Sequence, residues 1–275
     1  MEGLLDLGRQ DMGPSRRSVL SVALFSVALT VPEWPDVVGR METAQRGTRT
    51  RIGMSDVHTV SAMTEQLSSM DDQFGGRAAR PLAATFLVNT VAPFLRADGP
   101  EGVRKAMMSA ASDLCCLTGY MAVDEGLHGL AQRYYLKALE LAGASEDHLT
   151  YCTTLRGTSV QAVDLGQGPL AKRLADAAAA SSPQAGPRMR AFLAGQQAHA
   201  AAQTGDRRSA LMYLQEAARQ TWGLALDDYP LVDSGRIDKR MTDMFKLIRP
   251  HIRNHAAQAL YERAREVVRP ELIAV

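Results

Sequence analysis

One pattern of small residues occurs three times along this sequence and limits what the chain can fold into. In each copy a glycine is followed five residues later by an alanine, and the copies begin at Gly126, Gly166 and Gly205. Their alanines lie 40 and 39 residues apart, and a second alanine follows each one after seven residues. Glycine suits a turn, and small residues let two helices approach closely while an aromatic such as Tyr135 fills the space beside the crossing. The pattern therefore predicts a series of helix hairpins.

The hairpins resemble tetratricopeptide repeats, helix–turn–helix units of about 34 residues that stack into a solenoid. A further small residue, at Gly119, Ser159 and Ala198, precedes the alanine of each copy by twelve residues, as in that repeat. The expected fold is therefore all-α, a tetratricopeptide-like helix-hairpin solenoid over residues 41–275. Ala131 is expected at a crossing and Gln132 on the exposed side of the same helix. The repeats are expected at about 112–145, 152–185 and 191–220.

The composition agrees with closely packed helices. Hydrophobic residues make up 46% of the chain and aromatic residues 5%, a balance that favours helix packing over sandwiches or barrels. The formal net charge of +1 provides no global basic field for nucleic acid or an anionic membrane. Cys115, Cys116 and Cys152 contain no CxxC pair, and an odd number of cysteines in a chain of 275 residues indicates reduced, buried thiols of a cytosolic protein.

Helix boundaries can be predicted outside the repeats as well. Ser55 is expected to cap a helix, and a long helix is expected from about Glu101 to Asp124. Ser145 with Glu146 and Asp147, and Asp206 after Gly205, are plausible helix starts, whereas "TWGLALDDYPLVDSGR" is expected to be a turn-rich interruption. Two further amphipathic helices are expected in "RIDKRMTDMFKLIRP" and "NHAAQALYERAREVV".

The first 40 residues form a separate segment with two interpretations. Arg16 and Arg17 precede an apolar run from Val19 to Val31, as in a twin-arginine export signal. The run is too short for an ordinary transmembrane helix, and it fits a signal peptide or a buried helix equally well. No clear cleavage site follows it. We therefore expect a cytoplasmic protein without a membrane span, and the alternative is an exported, twin-arginine-dependent protein with a ligand-binding helical repeat domain.

Several segments between Arg16 and Val268 resemble the tetratricopeptide-repeat regulators of actinomycetes, many of which are transcriptional regulators with an N-terminal Xre-type helix-turn-helix. The resemblance implies a non-enzymatic scaffold, linked to transcriptional control, that binds a protein or peptide in a repeat groove. No helix-turn-helix precedes Arg16, so direct DNA binding is not expected. The segments that carry the resemblance are "RRSVL", "RIGMSDV", "MSAASDLCCLTGYMAVDEGLHGLAQRYYLKALELA", "AGPRMRAFLAGQQAHAAAQTGDR" and "LDDYPLVDSGR".

The repeat numbering also predicts a partner-binding groove. Stacked hairpins place their first helices along one concave face, where the fifth, ninth and thirteenth positions of each repeat point. Tyrosine and arginine are common binding anchors, and acidic residues select a partner of complementary charge. The predicted partner-binding residues are Cys116, Tyr120, Asp124, Arg156, Val160, Asp164, His199 and Gln203, with Gly195 at the remaining position.

No motif indicates catalysis, a metal or a cofactor. His148 with Cys152, and His251 with His255, are spaced four apart, but two ligands do not complete a metal site. "GQGP" lacks the rest of a phosphate loop and is expected to be a turn. The acidic pairs that begin at Asp71 and Asp227 are expected in loops. Core packing is the better interpretation of Tyr134, Tyr135, Met107, Met108 and Met121.

Overall fold

The computed structural model describes residues 2–12, 51–231 and 235–268, which form two compact units, Met1–Ser182 and Pro183–Val275. The twin-arginine segment with its apolar run lies outside the described residues. Within those residues the backbone forms helices and no β-strand, apart from an isolated bridge between Arg51 and Asp98. The all-α class is therefore confirmed.

The first unit begins with an eleven-residue helix and continues through a series of longer ones. A π-helix, Leu87–Val91, joins two of them in one continuous helical stretch. The helices of this unit are α1 (Glu2–Met12), α2 (Met54–Phe74), α3 (Gly76–Phe86), α4 (Ala92–Arg96), α5 (Glu101–Asp124), α6 (His128–Ser145), α7 (His148–Asp164) and α8 (Gly168–Ala180).

The second unit contains one long hairpin followed by two shorter helices. Short 3₁₀ turns at Tyr229–Leu231 and Arg249–His251 follow its second and third helices. The helices are α9 (Pro187–Gln203), α10 (Arg207–Asp228), α11 (Gly235–Ile248) and α12 (His255–Val267).

Short turns join α5 to α6, α7 to α8 and α9 to α10, and the two helices of each pair pack against each other. Gly126, Gly166 and Gly205 lie in these turns with φ of 72°, 69° and 74°, a conformation that glycine adopts without steric cost. Asp147 caps α7 by accepting a hydrogen bond from the Thr150 amide at 3.0 Å. Asp206 caps α10 in the same way. Helix starts at Asp147 and Asp206 are therefore confirmed, whereas Ser145 ends α6 and Glu146 is the C-cap of that helix.

The α5/α6 crossing explains why small residues recur there. A β-carbon at Gly119 would lie 2.9 Å from the ring of Tyr135 and 3.3 Å from the carbonyl oxygen of Ala131. The Ser112 hydroxyl donates to the carbonyl oxygen of Ala138 at 2.7 Å across the same interface. Close approach of the two backbones therefore depends on residues without large side chains.

The core of the first unit contains the side chains that the sequence assigned to it. Met107, Met121 and Tyr134 are fully buried, and Tyr135 is nearly so, whereas Met108 is half-buried against the same cluster. Gln132 is buried rather than exposed, so that prediction is wrong. Both α7 and α1 pack against α6 in addition to α5, so little of this helix is left exposed.

The second unit has a core of its own, in which side chains from α10, α11 and α12 meet. Phe245 and Tyr261 pack edge to face with ring centroids 5.4 Å apart. The Tyr229 hydroxyl donates to the carboxylate of Asp238 at 2.7 Å. The predicted amphipathic helices near the end of the chain are thus confirmed as α11 and α12.

Two predictions about where helices begin or end are also wrong. The expected turn-rich interruption begins inside α10, which continues to Asp228, because Trp222, Ala225 and Leu226 place an apolar stripe on the second core. Ser55 is not the N-cap of α2, since the helix begins at Met54. The cap is Gly53, whose amide donates to the Asp56 carboxylate at 2.8 Å.

Candidate partner-binding site

Three helices of the first unit, α2, α5 and α7, lie side by side, because α5 packs against α2 and against α7. Near their carboxyl ends they bring together ionisable side chains whose charges act on one another. Six of the predicted partner-binding residues belong to α5 and α7. We call the surface formed by Asp71, Asp72, Tyr120, Asp124, Arg156 and Asp164 the acidic face.

A hydrogen-bond network holds α5 and α7 together. The Ser109 hydroxyl donates to the Asp147 carboxylate at 2.5 Å. The Thr150 hydroxyl lies 2.9 Å from both Asp113 Oδ1 and Asp147 Oδ2 and donates to one of them at a time. Burial alone would raise the pKa of Asp147, but the hydrogen bonds from Ser109 and Thr150 lower it below its ordinary value. These bonds fix the α7 start against α5, and so position the acidic face.

Tyr120 is the aromatic residue of this surface, and half of it is exposed to solvent. The negative charge of Asp124 is the main cause that raises the pKa of its hydroxyl, and burial and Asp71 act in the same direction. Arg156 opposes this rise. The tyrosine therefore stays protonated at neutral pH and presents an apolar ring with a polar tip.

The carboxylates around Tyr120 repel one another. Burial raises the pKa of Asp71, and the charges of Asp124 and Asp72 raise it further. The pKa of Asp124 rises for the same two reasons, with Asp164 as its main charged neighbour. Asp124 and Asp164 are the last residues of α5 and α7, where the helix dipole already places partial negative charge. The surface therefore concentrates negative potential.

Arg156 is the cation of the acidic face, and it is half-buried on α7. Burial lowers the pKa of its guanidinium, and the groups of Tyr120, Tyr135 and Cys116 act in the opposite direction. Its neighbour Gly157 approaches the Tyr135 ring, since a β-carbon there would lie 3.3 Å from it. Arg156 therefore stands where α5, α6 and α7 meet.

The remaining predicted residues occupy different environments. Cys116 is half-buried, and burial raises the pKa of its thiol to about 11, so it is not a thiolate nucleophile at neutral pH. Val160 is half-buried on α7. His199 and Gln203 are exposed on α9 of the second unit, and their grouping with the other six residues stays a prediction.

Sequence reasoning missed the contribution of α2. Asp71 and Asp72 lie in the last turns of that helix rather than in a loop, and Asp227 likewise lies inside α10. The glycine pair after Phe74 was the only sequence signal for the end of α2. A pocket of about 330 Å³ opens between α2 and α5. The pocket is lined by Ser61, Thr64, Glu65, Ser68, Ala110, Asp113 and Leu117.

The motifs considered for metals and phosphates have structural explanations. Nδ1 of His148 lies 3.1 Å from the carbonyl oxygen of Ser181, and the Cys152 thiol donates to the Leu149 carbonyl. Gly166 of "GQGP" forms the turn between α7 and α8. Among the described residues no three histidine, cysteine or acidic side chains lie close enough to hold a metal ion.

Two helical stretches in the described part of the chain are long and apolar enough to cross a membrane by length and composition alone. They are Gly76–Arg96 and Glu101–Asp124, and 44% and 61% of their apolar windows are buried inside the protein. Core helices of water-soluble proteins satisfy the same criterion. The two stretches are therefore weak grounds for a membrane assignment.

Comparison with known proteins assigns no role to the acidic face. No protein-family model, no curated protein and no solved structure matches the chain. The assignment of this surface therefore rests on its own side chains. A half-exposed ring among mutually repelling carboxylates is suited to a partner that brings positive charge and an apolar group.

Proposed function

We propose that this chain is a non-enzymatic regulatory scaffold that binds a segment of another protein on the acidic face. The observation that carries the proposal is the environment of Tyr120, a half-exposed ring on which carboxylates from two helices act, Asp124 of α5 and Asp71 and Asp72 of α2. Aromatic residues at the centre of a surface are frequent binding anchors. Burial and neighbouring carboxylates raise the pKa values of Asp71 and Asp124, so several acidic groups lie close together on this face.

The same proposal includes a tetratricopeptide-like arrangement of the helix hairpins. In it the hairpins α5/α6, α7/α8 and α9/α10 are tetratricopeptide-like repeats, and their first helices line the binding groove. Support comes from the three turn glycines with positive φ and from the small residues at the α5/α6 crossing. The hydrogen bond from the Ser159 hydroxyl to the Ala171 carbonyl, 2.8 Å long, repeats that close approach in α7/α8.

The charge of the face selects the partner. Four carboxylates stand against the guanidinium of Arg156, so a segment rich in lysine or arginine fits better than an acidic one. An apolar or cationic side chain of that segment would rest on the Tyr120 ring. Arg156 would pair with a carboxylate or carbonyl oxygen of the partner and fix its register.

The regulatory role rests on the resemblance to actinomycete tetratricopeptide-repeat regulators. In this proposal the chain acts in the cytoplasm and influences transcription through its protein partner rather than by contacting DNA. The alternative is an exported protein, which the arginine pair before the apolar run favours. Intact-mass measurement of the protein from its native host distinguishes them: the full chain agrees with the cytoplasmic proposal, and a secreted form that begins after Thr30 agrees with export.

A binding experiment tests the acidic face directly. The probe is a fluorescein-labelled twelve-residue peptide of lysine, leucine and glycine, and its counterpart carries glutamate in place of lysine. We expect the full chain to bind the lysine peptide, more weakly at higher salt, and not the glutamate peptide. The double variant Asp71→Asn/Asp124→Asn should bind the lysine peptide about tenfold more weakly.

The control is Glu101→Gln, which removes an exposed carboxylate at the opposite end of α5. It should bind the lysine peptide as the unmodified chain does. Tyr120→Ser should weaken binding without lowering the salt dependence, because it removes the ring and leaves the charges. Equal affinity of all four proteins for the lysine peptide would contradict the proposal.

A further inference from the structure

A second surface of the first unit is occupied by α1, an amphipathic helix that packs across α3, the π-helix and α6. Leu4 and Leu7 on this helix are buried. A β-carbon at Gly8 would overlap Cγ2 of Val88, so glycine lets α1 cross the π-helix at close range. We call the surface under α1 the α1 seat; its polar residues are Arg80, Arg133, Tyr134 and Lys137.

A buried acidic residue anchors α1 in the seat. The Asp11 carboxylate is 2% exposed, pairs with Arg80 and accepts a hydrogen bond from the Tyr134 hydroxyl at 2.8 Å. Arg80 also donates two hydrogen bonds to the Glu125 carboxylate, at 2.6 and 3.1 Å. The guanidinium thus binds one carboxylate from α1 and another from the turn after α5.

The seat is built by contacts in which α1 takes no part. These are the two hydrogen bonds from Arg80 to Glu125 and the packing of α3 against α2 and α5. A free helix of eleven residues is marginal in water, so α1 is helical because it is docked. It is joined to the rest of the unit through the 38 residues 13–50. The helix therefore occupies a groove whose walls belong to other helices of the unit.

The match between α1 and its seat is incomplete at Arg133. Oε1 of Gln10 accepts a hydrogen bond from one terminal nitrogen of this guanidinium at 2.6 Å. The Nε and Nη2 atoms of Arg133 are buried and have no hydrogen-bond partner among the described residues. These two atoms form the edge that pairs with both oxygens of a carboxylate. A cleft of about 270 Å³ opens beside Gln10 and Arg133, between α1 and α6.

We propose that the α1 seat is a second protein-binding surface whose partner is an acidic amphipathic helix, and that α1 is the resident occupant which this helix displaces. The partner helix carries two leucines at the places of Leu4 and Leu7, followed by Glu–Asp at the places of Gln10 and Asp11. Its glutamate engages the Arg133 edge that Gln10 leaves without a bond. The partner would bind as a helix in a groove. This groove lies across α3, the π-helix and α6 and is separate from the acidic face.

The test uses two fluorescein-labelled peptides, a copy of residues 2–12 and the same peptide with Gln10→Glu. The protein is the full chain carrying Leu4→Ser and Leu7→Ser, which vacates the seat. This variant should bind the glutamate peptide about tenfold more tightly than the native peptide, because one carboxylate forms the forked contact. The unmodified chain should bind both at least about tenfold more weakly, since its own α1 already occupies the seat and competes with the peptide.

Adding Arg133→Met to the vacated chain should reduce the preference for the glutamate peptide to about one. A peptide that carries Leu4→Ser and Leu7→Ser is the control and should not bind. The proposal would be overturned if neither the native nor the glutamate peptide binds a vacated chain whose helical circular-dichroism spectrum is unchanged. Equal affinity for the two peptides would overturn the assignment of glutamate.

Hydrogen exchange on the unmodified chain keeps the proposal testable if the vacated variant does not fold. Saturating glutamate peptide should displace α1, so the amides of residues 5–11 should exchange at least about tenfold faster. Unchanged protection of those amides at saturating peptide would show that α1 is a permanent part of the unit. That result would also overturn the proposal.

Discussion

The hairpins α5/α6 and α9/α10 share the same pattern of small residues, but they bury the large residue between its two alanines to very different extents. In α5/α6 this position is Tyr135, which is 2% exposed and packs between Gly119 of its own hairpin and Gly157 of the next. In α9/α10 it is Leu214, which is 56% exposed. The small residues therefore accompany a hairpin in both places, whereas the large side chain of α5/α6 is buried because α7 also packs against it.

The largest effect that tests this comparison is truncation at the shared position. Tyr135→Ala should lower the free energy of unfolding by about 3–5 kcal/mol, because it empties a buried site. Leu214→Ala should change it by less than about 0.5 kcal/mol, since the side chain is mostly in solvent. Urea unfolding followed by circular dichroism measures both. Similar losses in the two variants would show that the hairpins are stabilised in the same way.

Overpacking the crossings should give a smaller difference. Ala131 is fully buried, so Ala131→Leu should cost about 1–3 kcal/mol. Ala210 holds the equivalent place in α10 but is half-buried, and Ala210→Leu should cost less because its side chain can turn toward solvent. Exposed Gln215 provides the control, since Gln215→Leu should leave the melting temperature unchanged. A larger loss at Ala210 than at Ala131 would contradict this ranking.

The smallest effect concerns the charges that end the helices. In the folded chain burial and neighbouring carboxylates raise the pKa of Asp71 and Asp124 above 3.8, so the folded state binds these protons more tightly than the unfolded state. Their ionisation therefore destabilises the fold progressively as the pH rises above that value. Asp71→Asn and Asp124→Asn should each raise the melting temperature slightly at pH 7 and not near pH 3.

Asp227 supplies the contrast from the second unit. Its carboxylate pairs with Arg263 on α12, and exposed pairs of this kind contribute little to stability. Asp227→Asn should therefore leave the melting temperature unchanged or slightly lower at pH 7. A rise in melting temperature equal to that of Asp124→Asn would indicate that carboxylates near helix ends have the same effect on stability in both units.

Much of the fold could be predicted because the decisive signals are local. Glycine in a turn and aspartate before a helix act through their own backbone, and the turns at Gly126 and Gly166 and the cap at Asp147 were predicted correctly. Local signals gave wrong predictions where tertiary contacts overrode them. Gly223 suggests a break, yet α10 continues because its apolar stripe meets α11 and α12.

The candidate site was predictable only in part. The predicted repeat numbering singled out Tyr120 and Arg156, which lie on the acidic face, and their role in binding a partner stays a prediction. It could not identify Asp71, because α2 lies before the predicted repeats and carries none of their pattern. The docking of α1 was equally hidden, since the contact between Asp11 and Arg80 joins segments far apart in the sequence.

The measurement that tests the central claim most directly is hydrogen exchange of the full chain with and without the lysine peptide. Binding on the acidic face should slow exchange in the last turns of α2, α5 and α7, which hold Asp71, Asp124 and Asp164. Exchange in α9 and α10 should change less. Slower exchange confined to the second unit, or no change at saturating peptide, would contradict the assignment of the acidic face as the binding site.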